Sequence, residues 1–219
     1  MTEAPPARRP LAVRDAAWAR ATAAWLAGRR ISPNAISAAS VLCAAGAAAA
    51  FACWSRTDGW CSALLLIAGA VGIQLRLLCN LFDGMVAVEG GLRSPTGDLW
   101  NEVPDRVADT LIIVGTGYGV SALPHAVELG WLAALMAMFT AYVRVLGASL
   151  GVPGLFFGPM AKQHRMALLT GVSLAAAVSG WSWDARWLLW GCLVAIAVGS
   201  ALTVARRLRA ISTALKARA

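Results

Sequence analysis

An all-α integral membrane protein, a six-transmembrane-helix bundle with an N-terminal interfacial amphipathic helix, is the fold class this sequence predicts. Three observations predict it. The 219 residues are 59% hydrophobic and only 14% charged, with a mean hydropathy of +0.66. A soluble domain of this length is nearer half apolar and a quarter charged. Apolar stretches recur at about 35–54, 61–82, 107–124, 130–150, 166–182 and 186–205, each near the ~20 residues that cross ~30 Å of hydrocarbon. Basic residues flank these stretches, as they flank membrane spans.

The elements follow in chain order. Residues 1–12 hold three Pro and read as a disordered tail. Residues 13–30 read as the interfacial helix: Val13, Ala17, Trp18, Ala21, Ala24 and Trp25 share one face, with Arg14 and Arg20 elsewhere. Such a helix lies in the membrane surface ahead of the first span. Nothing in the first 30 residues has the apolar core of a signal peptide. Residues 31–206 form the six-helix domain and 207–219 a basic tail. Ten Trp and 21 Gly suit interfacial anchors and close helix packing.

Charge orients the bundle. The amino-terminal segment carries six Arg, and the carboxy-terminal one carries Arg206, Arg207, Arg209, Lys216 and Arg218. The segments 83–106 and 151–165 add Arg93, Arg106, Lys162 and Arg165, against only Arg56 and Arg186 on the other side. Fifteen basic residues against two place both termini in the cytoplasm. The same flanking pattern accounts for the net charge of +8 and excludes a nucleic-acid partner. Five Cys show no metal spacing and serve as small hydrophobes. No P-loop, dinucleotide fingerprint or Ser/His/Asp arrangement is present, and no inverted repeat of a transporter.

Charges inside spans are costly and mark function by default. Arg76, Asn80 and Asp83 follow at spacings of four and three, on one face at the end of the second span. Asn101, Asp105 and Asp109 repeat every four residues where the third begins, and Arg144 sits deep in the fourth. Groups so spaced can also simply pair and tie helices together.

The stretch between them is the most informative: Asn80-Leu-Phe-Asp83-Gly84-Met-Val-Ala87, then Gly97-Asp-Leu-Trp-Asn101-Glu-Val-Pro-Asp105. It resembles the signature of the CDP-alcohol phosphotransferases, D-x2-D-G-x2-A-R-x8-G-x3-D-x3-D. Asp83, Gly84, Ala87, Gly97 and Asp105 match in type and position. Ile31-Ser32-Pro33-Asn34 resembles the family's entry into its first span, and Gly158-Pro-Met-Ala-Lys162-Gln-His-Arg165 its basic segment before the fifth. The first and third signature aspartates are Asn80 and Asn101 here, and the signature arginine is Val88.

The resemblance implies an enzyme of the bacterial inner membrane that moves a phosphatidyl group from CDP-diacylglycerol to a polar alcohol, free or phosphorylated, releasing CMP. It implies that Asn80, Asp83, Asn101 and Asp105 surround one or two Mg²⁺ or Mn²⁺ ions, with Asp105 also the general base. Such hard cations take oxygen ligands. Asn34, Gly84, Ala87 and Gly97 would lie against the CDP-alcohol, and Arg144, Lys162 and Arg165 against phosphates. His164 falls between the last two, whereas His125 falls in an outer loop. Asparagine offers a carbonyl oxygen but no charge, so weaker metal binding is expected; Asp98, Glu102 and Asp109 are the acids that would restore charge. Two alternatives stay open: a small CDP-alcohol donor with diacylglycerol as acceptor, or a non-catalytic relative with a degenerate metal site. The Gly-rich spans could support a homodimer.

Overall fold

The computed structural model describes residues 12–92, 94–179 and 184–218; the expected tail 1–12 lies almost wholly outside them. Described residues form seven α-helices and no strand: α1 (Ala17–Gly28), α2 (Pro33–Cys53), α3 (Gly59–Glu89), α4 (Gly97–Gly119), α5 (Ala126–Ser149), α6 (Lys162–Ser179) and α7 (Ala185–Lys216). Local chemistry sets their starts. The Ser32 hydroxyl accepts from the Ala35 amide at 3.2 Å with Pro33 in the first turn of α2, the usual N-cap arrangement. Asp184 caps α7 in the same way through the Arg186 amide.

Helices α2 to α7 run up and down. α2 packs between α3 and α4, α5 packs on α4 and α7, and α6 closes on α3 and α7. The main core joins Phe51, Leu66, Ile73, Ile112, Ile113, Met166, Leu169, Leu189 and Leu193. α2 and α4 approach so closely that a Cβ built on Gly119 would stand 1.8 Å from the Phe51 carbonyl oxygen, and one on Gly115 2.6 Å from that of Ala48. Small residues permit this in a bundle that lacks hydrophobic drive between helices.

Large apolar side chains face outward along the bundle, among them Leu42, Leu64, Val71, Leu75, Trp131, Leu135, Val178, Val198 and Leu202. A soluble protein rarely exposes so continuous an apolar surface; the chain is built as an integral membrane protein. Among the described residues four helical segments are long and apolar enough to cross a bilayer: Pro33–Arg56, Gly59–Glu89, Ala126–Ser149 and Ala185–Lys216. α4 and α6 fall outside that set because acids and bases crowd their first turns.

Two expected boundaries move. The interfacial segment breaks at extended Ala16, after a short 3₁₀ turn at Ala12–Asp15. Its Ala19 and Ala23 pack on Leu81, Met85 and Val86 of α3, while Trp18 and Trp25 stay exposed on the apolar face named above. The expected basic tail 207–219 is not a separate segment: α7 continues without interruption to Lys216 and buries Arg207 and Ile211.

Candidate functional site

The last turns of α3 and the first turns of α4 and α6 meet at one end of the bundle, and their polar residues interlock. Arg76, Asn80 and Asp83 line one face of α3, as residues four and three apart must. Arg76 is fully buried; its Nη2 donates to Asp105 Oδ1 at 3.1 Å and to Asp109 Oδ1 at 2.6 Å. Asn80 Nδ2 donates to the same Asp105 Oδ1 at 2.5 Å. Lys162, the first residue of α6, places its ammonium on Asp105 Oδ2. One turn on, Arg165 Nη2 donates to Asp109 Oδ2 at 3.1 Å. Asp83 points toward α2, where the Ser37 hydroxyl donates to its Oδ2 at 2.7 Å.

Three buried carboxylates, Asp83, Asp105 and Asp109, are thus set against three cations, Arg76, Lys162 and Arg165. Buried charge is tolerated only when matched in this way. The cations differ in their freedom. Arg76 and Arg165 have side chains 0% and 1% exposed, whereas that of Lys162 is 27% exposed.

The structure therefore brings together four expected residues: Asn80 and Lys162 each on Asp105, and Asp83 one turn along α3 from Asn80. Arg165 joins them through Asp109. Asn101 lies one turn before Asp105 on α4 and is exposed. Asn34 is half-buried in the first turn of α2, three residues before Ser37. A Cβ added to Gly84 would meet no atom within 4 Å, and one on Gly97 only Ser94 Oγ at 3.7 Å; Ala87 is half-buried one turn after Gly84. Open space thus borders Asp83 on the side of the small residues.

Arg144 stands differently from expectation. Its guanidinium holds Glu102 Oε1 and lies 5.8 Å from the Phe156 ring centre. Glu102 also accepts from Arg106 at 3.1 Å, so two arginines occupy it.

Ser37 and Arg207 were not among the expected site residues, and Glu102, expected only as an acid that would restore charge, is held by Arg144 and Arg106. Arg207 is buried, with Nη1 donating to the Thr140 carbonyl at 2.6 Å and Nε to that of Phe157 at 3.0 Å. Its sequence signal was its position four residues after Thr203; Thr203 Oγ1 accepts from the Met160 amide at 3.0 Å. A cavity of about 370 Å³ opens at the opposite end of the bundle, lined by Trp54, Asp58, Ser62, Leu66, Ala176 and Arg186. It includes none of the expected residues.

The donors suit a hard divalent cation. Asp83, Asp105 and the amide oxygen of Asn80 are all oxygen ligands, gathered on facing turns beside a glycine that leaves space. Among the described residues no three His, Cys, Asp or Glu side chains are grouped as a metal site, so an ion here would rest on two carboxylates and an amide.

No protein-family profile and no curated protein matches this sequence. Solved structures do match. The phosphatidylinositol phosphate synthase of Mycobacterium tuberculosis, in complex with manganese and citrate, superposes with a TM-score of 0.73 at 19% identity, covering 89% of each chain. With CDP-DAG bound, the same synthase gives 0.72 and 19%, over 90% of this chain and 94% of that one. Its apo form gives 0.71 and 17%, over 88% and 95%. At such identities the likeness is one of fold: this chain shares the helical-bundle fold of that synthase across nearly its whole length.

Proposed function

We propose that this chain is a CDP-alcohol phosphotransferase that transfers a phosphatidyl group from CDP-diacylglycerol to a polar alcohol and releases CMP. The observation that carries the reading is the contact of Asn80 and Lys162 with Asp105, one turn from Asp83 and beside the open space at Gly84. Asp83, Gly84 and Asp105 are residues of the motif, met in a fold whose similar synthase was solved with CDP-DAG bound.

Asp83, Asp105 and Asn80 would hold a Mg²⁺ or Mn²⁺ ion, which supplies charge stabilisation to the pyrophosphate when bound. The chain's own residues do the rest. Gly84, Ala87 and Gly97 admit the nucleotide close to the helix backbones. Asp105 is the base: it accepts the proton of the acceptor hydroxyl through Oδ2, the oxygen held by the more exposed cation. The acceptor oxygen then forms the new bond to the lipid-bearing phosphorus as the bond to CMP breaks. Arg76 and Asn80 keep Asp105 aimed from its other oxygen. Arg165 and Arg144 supply positive charge near the phosphates, and Asn34 borders the nucleotide from α2.

In the same reading all of α2 to α7 cross the membrane, α4 and α6 with their charged turns turned inward, and both termini are cytoplasmic. α1 lies at that surface with Trp18 and Trp25 in the lipid headgroups.

The decisive experiment is CMP release from CDP-diacylglycerol by the purified protein, against a panel of free and phosphorylated alcohols, with and without Mg²⁺ or Mn²⁺. Metal-dependent CMP release with one acceptor supports the reading. Release only from a small CDP-alcohol with diacylglycerol present would reverse the donor. No release with any pair would favour a non-catalytic relative.

A further inference from the structure

Both oxygens of Asp105 are engaged from within the protein. Its Oδ1 receives Arg76 and Asn80, and its Oδ2 receives Lys162, with Arg106 Nη2 at 3.7 Å from the same oxygen. A divalent cation that uses Asp105 must take a place next to Oδ2, where an ammonium already stands. Two cations sharing one carboxylate oxygen repel strongly in a buried setting, so one must yield.

The structure shows which one can. Arg76 is fully buried and bridges two aspartates through its Nη2, so leaving Asp105 would also disturb its pair with Asp109. Lys162 has one carboxylate partner, a side chain 27% exposed and a position at the very start of α6. A flexible four-carbon stem carries its compact charge. Asn80 and Asn101 add no negative charge that would hold both a lysine and a metal.

Resting on the metal-dependent reading above, we infer that Lys162 is the resident cation of this site: its ammonium holds Asp105 until a divalent ion binds and is displaced from it by that ion. Metal binding and Lys162 release are then one coupled event. Lys162 is a positioning residue for Asp105 in the metal-free protein and a competitor of the metal.

The sequence makes this directly measurable, because Lys162 and Lys216 are its only lysines. Lys216 is exposed at the end of α7 and serves as an internal reference. The full-length protein in detergent is treated with an amine-acylating reagent, with and without Mn²⁺, and acylation at each lysine is read by mass spectrometry. Mn²⁺ affinity is measured in parallel from the paramagnetic resonance of the free ion, for wild type, Lys162→Met and Asp83→Asn. Mn²⁺ should raise Lys162 acylation several-fold and leave Lys216 unchanged, Lys162→Met should bind Mn²⁺ about tenfold more tightly, and Asp83→Asn should lose both the binding and the unmasking. Mn²⁺ binding with Lys162 acylation unchanged or reduced would overturn the inference while leaving the metal reading intact. So would a Lys162→Met protein that binds Mn²⁺ no better. Failure of both wild type and Lys162→Met to bind millimolar Mn²⁺ would remove the metal reading and this inference together. Should Lys162→Met not fold, the labelling of wild type decides alone.

Discussion

Arg76 joins two aspartates of α4 through a single nitrogen: its Nη2 donates to Asp109 Oδ1 at 2.6 Å and to Asp105 Oδ1, one turn earlier, at 3.1 Å. With Arg165 on its other oxygen at 3.1 Å, Asp109 ties α3, α4 and α6 into one unit beneath the site. It is the structural member of the aspartate row, and Asp105 is the one to which we assign the chemistry.

Asp109→Ala should therefore be a folding mutation. It leaves two buried guanidiniums short of their counter-ion, a situation that costs about 3–5 kcal/mol. Equilibrium unfolding in mixed micelles should show that loss, and Asp109→Leu should not recover it. An unchanged unfolding midpoint would mean that Asp105 alone satisfies both arginines.

Asp105→Asn should behave in the opposite way. The Arg76–Asp109 pair survives, so the protein should fold, but the proposed base and a metal-site charge are gone. CMP release should fall by about 10²–10⁴-fold, the usual worth of a general base. Near-normal turnover would sink the assignment of Asp105.

The aspartate that the motif leads one to expect at position 80 gives a third test. Asn80 donates an amide hydrogen to Asp105 Oδ1 at 2.5 Å, a bond that a carboxylate cannot make. Asn80→Asp would set two carboxylates face to face, a repulsion that a bound divalent cation relieves. The variant should unfold more easily than wild type in chelator and gain that stability back in Mn²⁺. Its half-maximal Mn²⁺ concentration for CMP release should fall about tenfold, since ligand charge sets affinity. Equal stability in chelator and Mn²⁺ would show that position 80 is outside the metal's reach.

What the sequence showed, and what it hid, follows from the range of each signal. Helix positions are written in local hydropathy, and α2, α3 and α5 fall within a few residues of the apolar stretches at 35–54, 61–82 and 130–150. α4 begins ten residues before its apolar stretch at 107 because Asp98, Asn101, Glu102, Asp105 and Arg106 lower the local hydropathy of its first turns. The α3 and α4 site residues were legible through spacings of three and four. Partners across helices were not, because they depend on register between elements far apart in sequence. Ser37 is 46 residues from Asp83, and nothing local marks the bond. Arg207 was hidden for another reason: basic residues after a span read as cytoplasmic flank, yet this one turns inward onto two carbonyls.

Two glycines give the last test, because the structure treats them oppositely. A methyl group on Gly119 would collide with the Phe51 carbonyl, which belongs to the backbone and cannot rotate away. Gly119→Ala should force α2 and α4 apart and lose at least about 1–3 kcal/mol, as overpacked cores do. At Gly84 the same methyl group meets nothing within 4 Å, and alanine is the better helix former by about 1 kcal/mol. Gly84→Ala should therefore fold as well as wild type or better. If the space beside Asp83 is where the nucleotide lies, the added methyl occupies it, and CMP release should drop at least about tenfold, a loss worth ~1.4 kcal/mol of transition-state binding. Thermal unfolding and CMP release on the same preparation separate the two effects. A stable Gly84→Ala protein with full turnover would place the CDP-alcohol elsewhere, and the reading of Gly84, Ala87 and Gly97 as a nucleotide cradle would fall with it.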